Sequence, residues 1–121
     1  MVGNAVWFEI PSTNFERAVK FYESVFQVTL RRENIGGDLA VFPSGENAVN
    51  GAVVSQSGYV PAANGAVVYL NAGEDLTPYL ERAAAHGGSV IAPKTALPPG
   101  MGHYAHFGDT EGNRVGLFSQ N

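Results

Sequence analysis

Val6-Trp7-Phe8-Glu9-Ile10-Pro11, followed by Ser12-Thr13-Asn14-Phe15-Glu16-Arg17-Ala18-Val19-Lys20-Phe21-Tyr22-Glu23-Ser24-Val25-Phe26, is the stretch whose reading decides the fold. Val6, Phe8 and Ile10 alternate with Ala5, Trp7 and Glu9 as far as Pro11, the period of a strand with two unlike faces. Asn14 then offers a side-chain oxygen to the free N–H groups of a first helical turn. Phe15, Ala18, Val19, Tyr22, Val25 and Phe26 recur at helical spacing, with Glu16, Arg17, Lys20 and Glu23 on the other side. The stretch therefore reads as one strand and one amphipathic helix. Three strand-like runs follow, Val28 to Arg32, Leu39 to Phe42 and Ala48 to Ser55, separated by Gly36-Gly37 and Ser44-Gly45-Glu46-Asn47.

The same order then starts again. Pro61-Ala62-Ala63-Asn64-Gly65 reads as a linker, and Ala66 to Asn71 as a strand. Leu76, Tyr79, Leu80 and Ala83 make a second helical stripe, with Pro78 in its first turn and His86-Gly87-Gly88 as its stop. Strands at Ser89 to Ala92, His103 to Phe107 and Arg114 to Phe118 complete the second unit. Gly45-Glu46-Asn47-Ala48-Val49 in the first unit is echoed by Glu111-Gly112-Asn113-Arg114-Val115 in the second. The expected fold is α+β, two βαβββ modules in tandem whose curved mixed sheets enclose a cavity. One domain is expected over residues 1–121, with modules at about 4–56 and 66–119 and a linker at about 57–65. A unit of about 60 residues covers one sheet face with its single helix and leaves the other bare, so the two must share a core.

Composition removes whole classes of function. The chain has no cysteine, hence no disulfide, thiolate metal site, iron–sulfur cluster or cysteine nucleophile. A formal charge of -4 gives no basic footprint for nucleic acid. No stretch has the apolar length of a membrane span and the first residues do not resemble a signal peptide, so a cytoplasmic location is expected. Phosphate-cradling glycine loops and the Gly-x-Ser-x-Gly elbow are also missing.

Taken together, Phe8-Glu9-Ile10-Pro11, the helix run Glu16 to Tyr22 with Val25-Phe26, Gly87-Gly88-Ser89-Val90, Pro93-Lys94-Thr95 and Asp109 to Leu117 resemble the vicinal oxygen chelate superfamily. It contains lactoylglutathione lyase, extradiol dioxygenases, fosfomycin-resistance enzymes and bleomycin-resistance proteins. The resemblance covers about Val6 to Phe118. It implies a divalent metal held by His, Gln or Glu side chains from strands one, four, five and eight, acting as a Lewis acid. The matching positions here are Trp7, Asn50 or Gly51, a residue within Val67 to Tyr69, and Gly116. Indole, glycine and valine hold no such cation, so no metal and no cofactor are expected. The resemblance also implies pairing of modules within or between chains, and a homodimer.

With Val6, Phe8 and Ile10 under the helix, alternation turns Trp7 and Glu9 toward the cavity. It does the same for Tyr69 and Asn71, for Tyr104 and His106, and for Arg114 with Gly116 and Phe118. Trp7, Glu9, Tyr69, Asn71, Tyr104, His106 and Arg114 form the candidate ligand-binding set, aromatic walls with a few polar points. His106 is the candidate acid–base residue, because imidazole titrates near neutrality. His103 and His106 point to opposite sides of a strand and make no metal pair. The indole of Trp7 is expected to fill the space opposite Gly116, and the run Lys94 to Gly102 reads as either a loop closing over the pocket mouth or a linker. The expected function is metal-free binding of a small aromatic or amphipathic ligand. The alternatives are a glyoxalase-like lyase or isomerase or a dioxygenase, with a site displaced to His106 and Glu9 or acting by acid–base chemistry alone, and an interaction module with a filled interior.

Overall fold

The structure is a computed structural model describing residues 3–46 and 48–121. Asn47, in the turn that echoes Asn113, lies outside the described residues. The elements are β1 (Trp7–Pro11), α1 (Phe15–Phe26), β2 (Arg31–Asn34), β3 (Asp38–Val41), β4 (Asn50–Ser55), β5 (Tyr69–Asn71), α2 (Thr77–Ala85), β6 (Ser89–Ala96), β7 (His103–Gly108) and β8 (Arg114–Ser119). They form two four-stranded sheets, ordered β1-β4-β3-β2 and β5-β8-β7-β6. In each, the first strand of the unit runs parallel to the last and the remaining pairs are antiparallel. The α+β fold of tandem βαβββ modules is thus present, and its sheets stay open rather than closing into a barrel.

The Asn14 side chain accepts from Arg17 N–H at 3.1 Å, and α1 ends at Gln27 in the left-handed region, φ 55°. Ala18, Val19, Tyr22 and Val25 are fully buried. They belong to one cluster joining Ile10, Ala40 and Val53 of the first sheet to Ala105, Phe107, Val115 and Leu117 of the second. Helix α1 is therefore shared by both modules, and α2 packs beside it. Arg82 Nε donates to the Val25 carbonyl at 2.7 Å across that junction.

Several boundaries differ from the sequence reading. Val6 lies outside β1 and is 69% exposed instead of packing under the helix. The run Val28 to Arg32 is mostly connection, because Leu30 turns into the core and its N–H goes to the Glu23 carboxylate. Strand β6 runs on to Ala96, with register shifts on either side of Ala92 that accommodate Pro93, which has no N–H for a ladder. Lys94, Thr95 and Ala96 are consequently strand. What remains is a short hairpin connection in which Leu97 N–H donates to Gly102 O at 2.9 Å, and it does not line the main cleft.

Glu111, in the β7–β8 turn, reaches across to the start of α1. One carboxylate oxygen accepts from Thr13 N–H and Asn14 N–H at 3.0 and 2.8 Å, and the other from Arg17 Nε at 2.8 Å. Burial alone raises its pKa, but these bonds and one from Thr110 outweigh that and bring it down to about 2. A depressed carboxylate stabilises the fold above its ordinary pKa, and the gain is lost as pH falls. For Glu111 the window runs from its ordinary value of 4.5 to about 2. Discounted for solvent screening, the loss is about 2 kcal/mol. Urea titrations between pH 6 and pH 2 should show this slope reduced in Glu111→Gln.

Candidate functional site

The two modules place Trp7 and Tyr69 in equivalent positions. Trp7 is paired with Asn50 across β1 and β4, and Tyr69 with Gly116 across β5 and β8. The strand-four position is therefore Asn50, since Gly51 pairs with Phe8 on the helix side. A Cβ on Gly116 would collide with the Tyr69 ring, so the absent side chain is what lets that ring lie flat over β8. The space at Gly116 is filled by Tyr69, not by the Trp7 indole as the sequence suggested. Trp7 instead donates its Nε1–H to Glu9 at 3.2 Å along its own strand.

Beyond Gly116 the Tyr69 hydroxyl reaches β7, where its oxygen lies 2.6 Å from His106 Nε2. Arg114 Nη1 lies 3.0 Å from the other ring nitrogen, Nδ1. The Tyr104 ring stands 5.7 Å from the imidazole on the same face. Burial, and then the Arg114 charge, hold His106 below the ordinary imidazole range. Of the expected set, Tyr69, Tyr104, His106 and Arg114 are thus one contiguous cluster. Glu9 is bonded to Trp7, and Arg114 to His106. Asn71 uses its side-chain oxygen on Gly73 N–H at 2.8 Å, an Asx turn that leads toward α2. His103 lies on the opposite face of β7 from His106.

A cleft of about 660 Å³ opens where the modules meet, and Trp7, Asn50, Tyr69 and Asn71 all line it. Its deeper wall is Phe26, Phe42 and Tyr79, with Phe26 and Tyr79 ring centroids 5.3 Å apart. These three were legible only as core residues. Phe26 and Tyr79 fall on helical stripes and Phe42 at the end of a strand-like run, and only the gap between modules exposes their edges. Trp7 and Tyr69 remain 44% and 50% exposed, so the cleft is an open trough instead of an enclosed cavity.

The profile of the Glyoxalase/Bleomycin resistance protein/Dioxygenase superfamily matches residues 4–117. The chain belongs to this superfamily. A glyoxylase-like domain-containing protein of Didymella fabae is 31% identical over 116 residues, which cover 92% of this chain and 89% of that protein. Among solved structures, a glyoxalase/bleomycin resistance protein of Albidiferax ferrireducens T118 superposes with a TM-score of 0.75 at 13% identity, over 95% of this chain and 97% of that one. A glyoxalase I mutant of Zea mays gives 0.70 at 19% identity. The match covers 95% of this chain but only 46% of the maize chain, so the present chain spans just under half of that protein. At these identities the structures speak for the fold alone.

The superfamily's metal does not fit the residues found at its positions here. Trp7 and Gly116 have no side-chain donor atom for a cation, and the Tyr69 hydroxyl is engaged by His106. The Asn50 amide donates its Nδ2–H to Phe42 O at 2.9 Å, which leaves its Oδ1 as a single neutral oxygen among the four positions, too few donors to hold a cation. Both ring nitrogens of His106 are hydrogen-bonded, and Glu9 lies on the other sheet. Among the described residues no three His, Asp or Glu side chains converge. No helix among the described residues is long and apolar enough to cross a membrane.

Proposed function

We propose that this superfamily member binds a small aromatic or amphipathic molecule without a metal, in the trough between its modules, in the manner of the bleomycin-resistance branch. The observation carrying this reading is the trough itself: Trp7, Phe26, Phe42, Tyr69 and Tyr79 present aromatic surface, with Asn50 and Asn71 as its polar points. Trp7, Tyr69 and Asn71 are the proposed contact residues within the trough, with Glu9, Tyr104, His106 and Arg114 proposed to extend the contact beside it, and residues 1–121 are proposed to act as one cytoplasmic domain. Trp7 is the single tryptophan, so its emission reports occupancy. Saturable quenching by small aromatic compounds in the presence of a chelator, unchanged by added Ni²⁺, Mn²⁺ or Zn²⁺, is the expected result. Thermal stabilisation by one of those ions that disappears when trough residues are replaced would overturn it.

The proposal includes a homodimer. Strand β6 is a sheet edge, and Val90 and Ile91 on it are 48% and 37% exposed, as a surface meant to be covered would be. Light scattering behind gel filtration should give twice the chain mass, and a monomer at micromolar concentration would remove this part of the reading.

A catalytic reading is supported by the 2.6 Å contact between the Tyr69 hydroxyl and His106 Nε2, a phenol and an imidazole within hydrogen-bond reach of each other. It is tested by turnover of α-keto aldehyde thiol adducts or of catechols that is lost in His106→Ala.

A further inference from the structure

The hydrogen-bond chain on the second sheet has a direction, and that direction specifies a ligand chemistry. A guanidinium can only donate, so Arg114 at 3.0 Å requires a lone pair on His106 Nδ1. The imidazole is then neutral, with its proton on Nε2. Were the proton on Nδ1, two donors would face each other. Nε2–H therefore donates to the Tyr69 oxygen at 2.6 Å, and the hydroxyl proton of Tyr69 is directed elsewhere. Tyr69 is half-exposed, so that proton is offered to the open face. Each donor in the series Arg114, His106, Tyr69 polarises the next, which makes the last O–H a stronger donor than a free phenol.

The surroundings favour a particular acceptor. Tyr69 lies flat over Gly116, Tyr104 stands beside His106, and Phe118, paired with Tyr104, continues the aromatic surface along the same face. Arg114 keeps further N–H groups and its positive charge. The side chains in this cluster carry no carboxylate, since Glu9 lies on the other sheet bonded to Trp7. Flat aromatic surface, one polarised O–H and one cation together suit a planar, conjugated molecule with an oxygen that bears negative charge.

We propose that Tyr69 donates its hydroxyl proton to the oxygen of a phenol- or enol-class ligand bound as its anion, with His106 and Arg114 as positioning residues that orient and polarise that donor. The proposal rests on the reading of the trough as a ligand site and names the class of ligand. It is tested by calorimetric titration with 4-nitrophenol and with its methyl ether, 4-nitroanisole, together with the absorbance of bound nitrophenol across pH. The wild type should bind 4-nitrophenolate at least about tenfold more tightly than the ether, as a charge-assisted bond requires, and the bound phenol should ionise at lower pH than in solution. Tyr69→Phe keeps the ring and its floor, so it should hold the ether unchanged while the preference for the anion and the shift in ionisation both vanish. Equal affinity of the two probes in the wild type would overturn the proposal while leaving the trough a ligand site, as would a preference that survives in Tyr69→Phe. Binding of neither probe would overturn both readings.

Discussion

Asp109→Ala should lower the thermal midpoint by roughly 10–20 °C, which corresponds to a loss of about 3–5 kcal/mol in a domain of this size. Asp109 is 6% exposed and closes the turn between β7 and β8. Its carboxylate accepts from the Tyr22 hydroxyl at 2.7 Å, from the Glu111 and Asn113 N–H groups at 2.8 and 2.9 Å, and from Asn113 Nδ2 at 2.9 Å. Tyr22 is fully buried in the first module, and burial, followed by the charge of Asp109, pushes its phenol well above the ordinary range. Its hydroxyl is held as the donor to that carboxylate. Truncating Asp109 strands that hydroxyl and two backbone N–H groups away from water, and an unpaired buried donor costs more than a hydrogen bond contributes. Tyr22→Phe removes the donor instead and should cost less, about 1–2 kcal/mol. Added to Asp109→Ala, it should recover part of the loss. Calorimetry on the three variants checks this, and a fall below about 5 °C for Asp109→Ala would show that water reaches the turn.

Phe107→Ala should cost about 3–5 kcal/mol and should unfold the modules together. Phe107 is fully buried on β7 of the second module, yet its ring centroid lies 5.7 Å from Phe21 and 6.2 Å from Tyr22 on the helix of the first. A cavity there is lined from both sides, and neither wall can close it alone. Trp7 emission reports the first module and far-ultraviolet circular dichroism the whole chain. The two melting curves are expected to coincide in the wild type and to move together in the variant. Separation of the curves would mean that each module holds a core of its own.

The local features were legible in the residues themselves. Alternation through Phe8, Glu9 and Ile10, the stripe from Ala18 to Val25, and Asn14 as a cap depend on neighbours a few positions away. The repeat was legible for the same reason, because two similar units bury similar faces. What failed were features set by a partner strand. The extension of β6 past Pro93 exists because β7 tolerates shifts in register beside it, and Leu30 left its expected strand because the shared core claimed its side chain.

For the site, residue types and strand parity sufficed to gather Tyr69, Tyr104, His106 and Arg114 on one face. Only the tertiary structure decided that Tyr69 rather than Trp7 covers Gly116, and that Arg114 and Tyr69 bracket the two nitrogens of His106. It likewise decided that Glu111 caps a helix more than ninety residues earlier. Periodicity is a property of one segment, set by the geometry of its own backbone. Register and contact between modules are properties of pairs of segments, and they arise when the chain selects which faces to bury together.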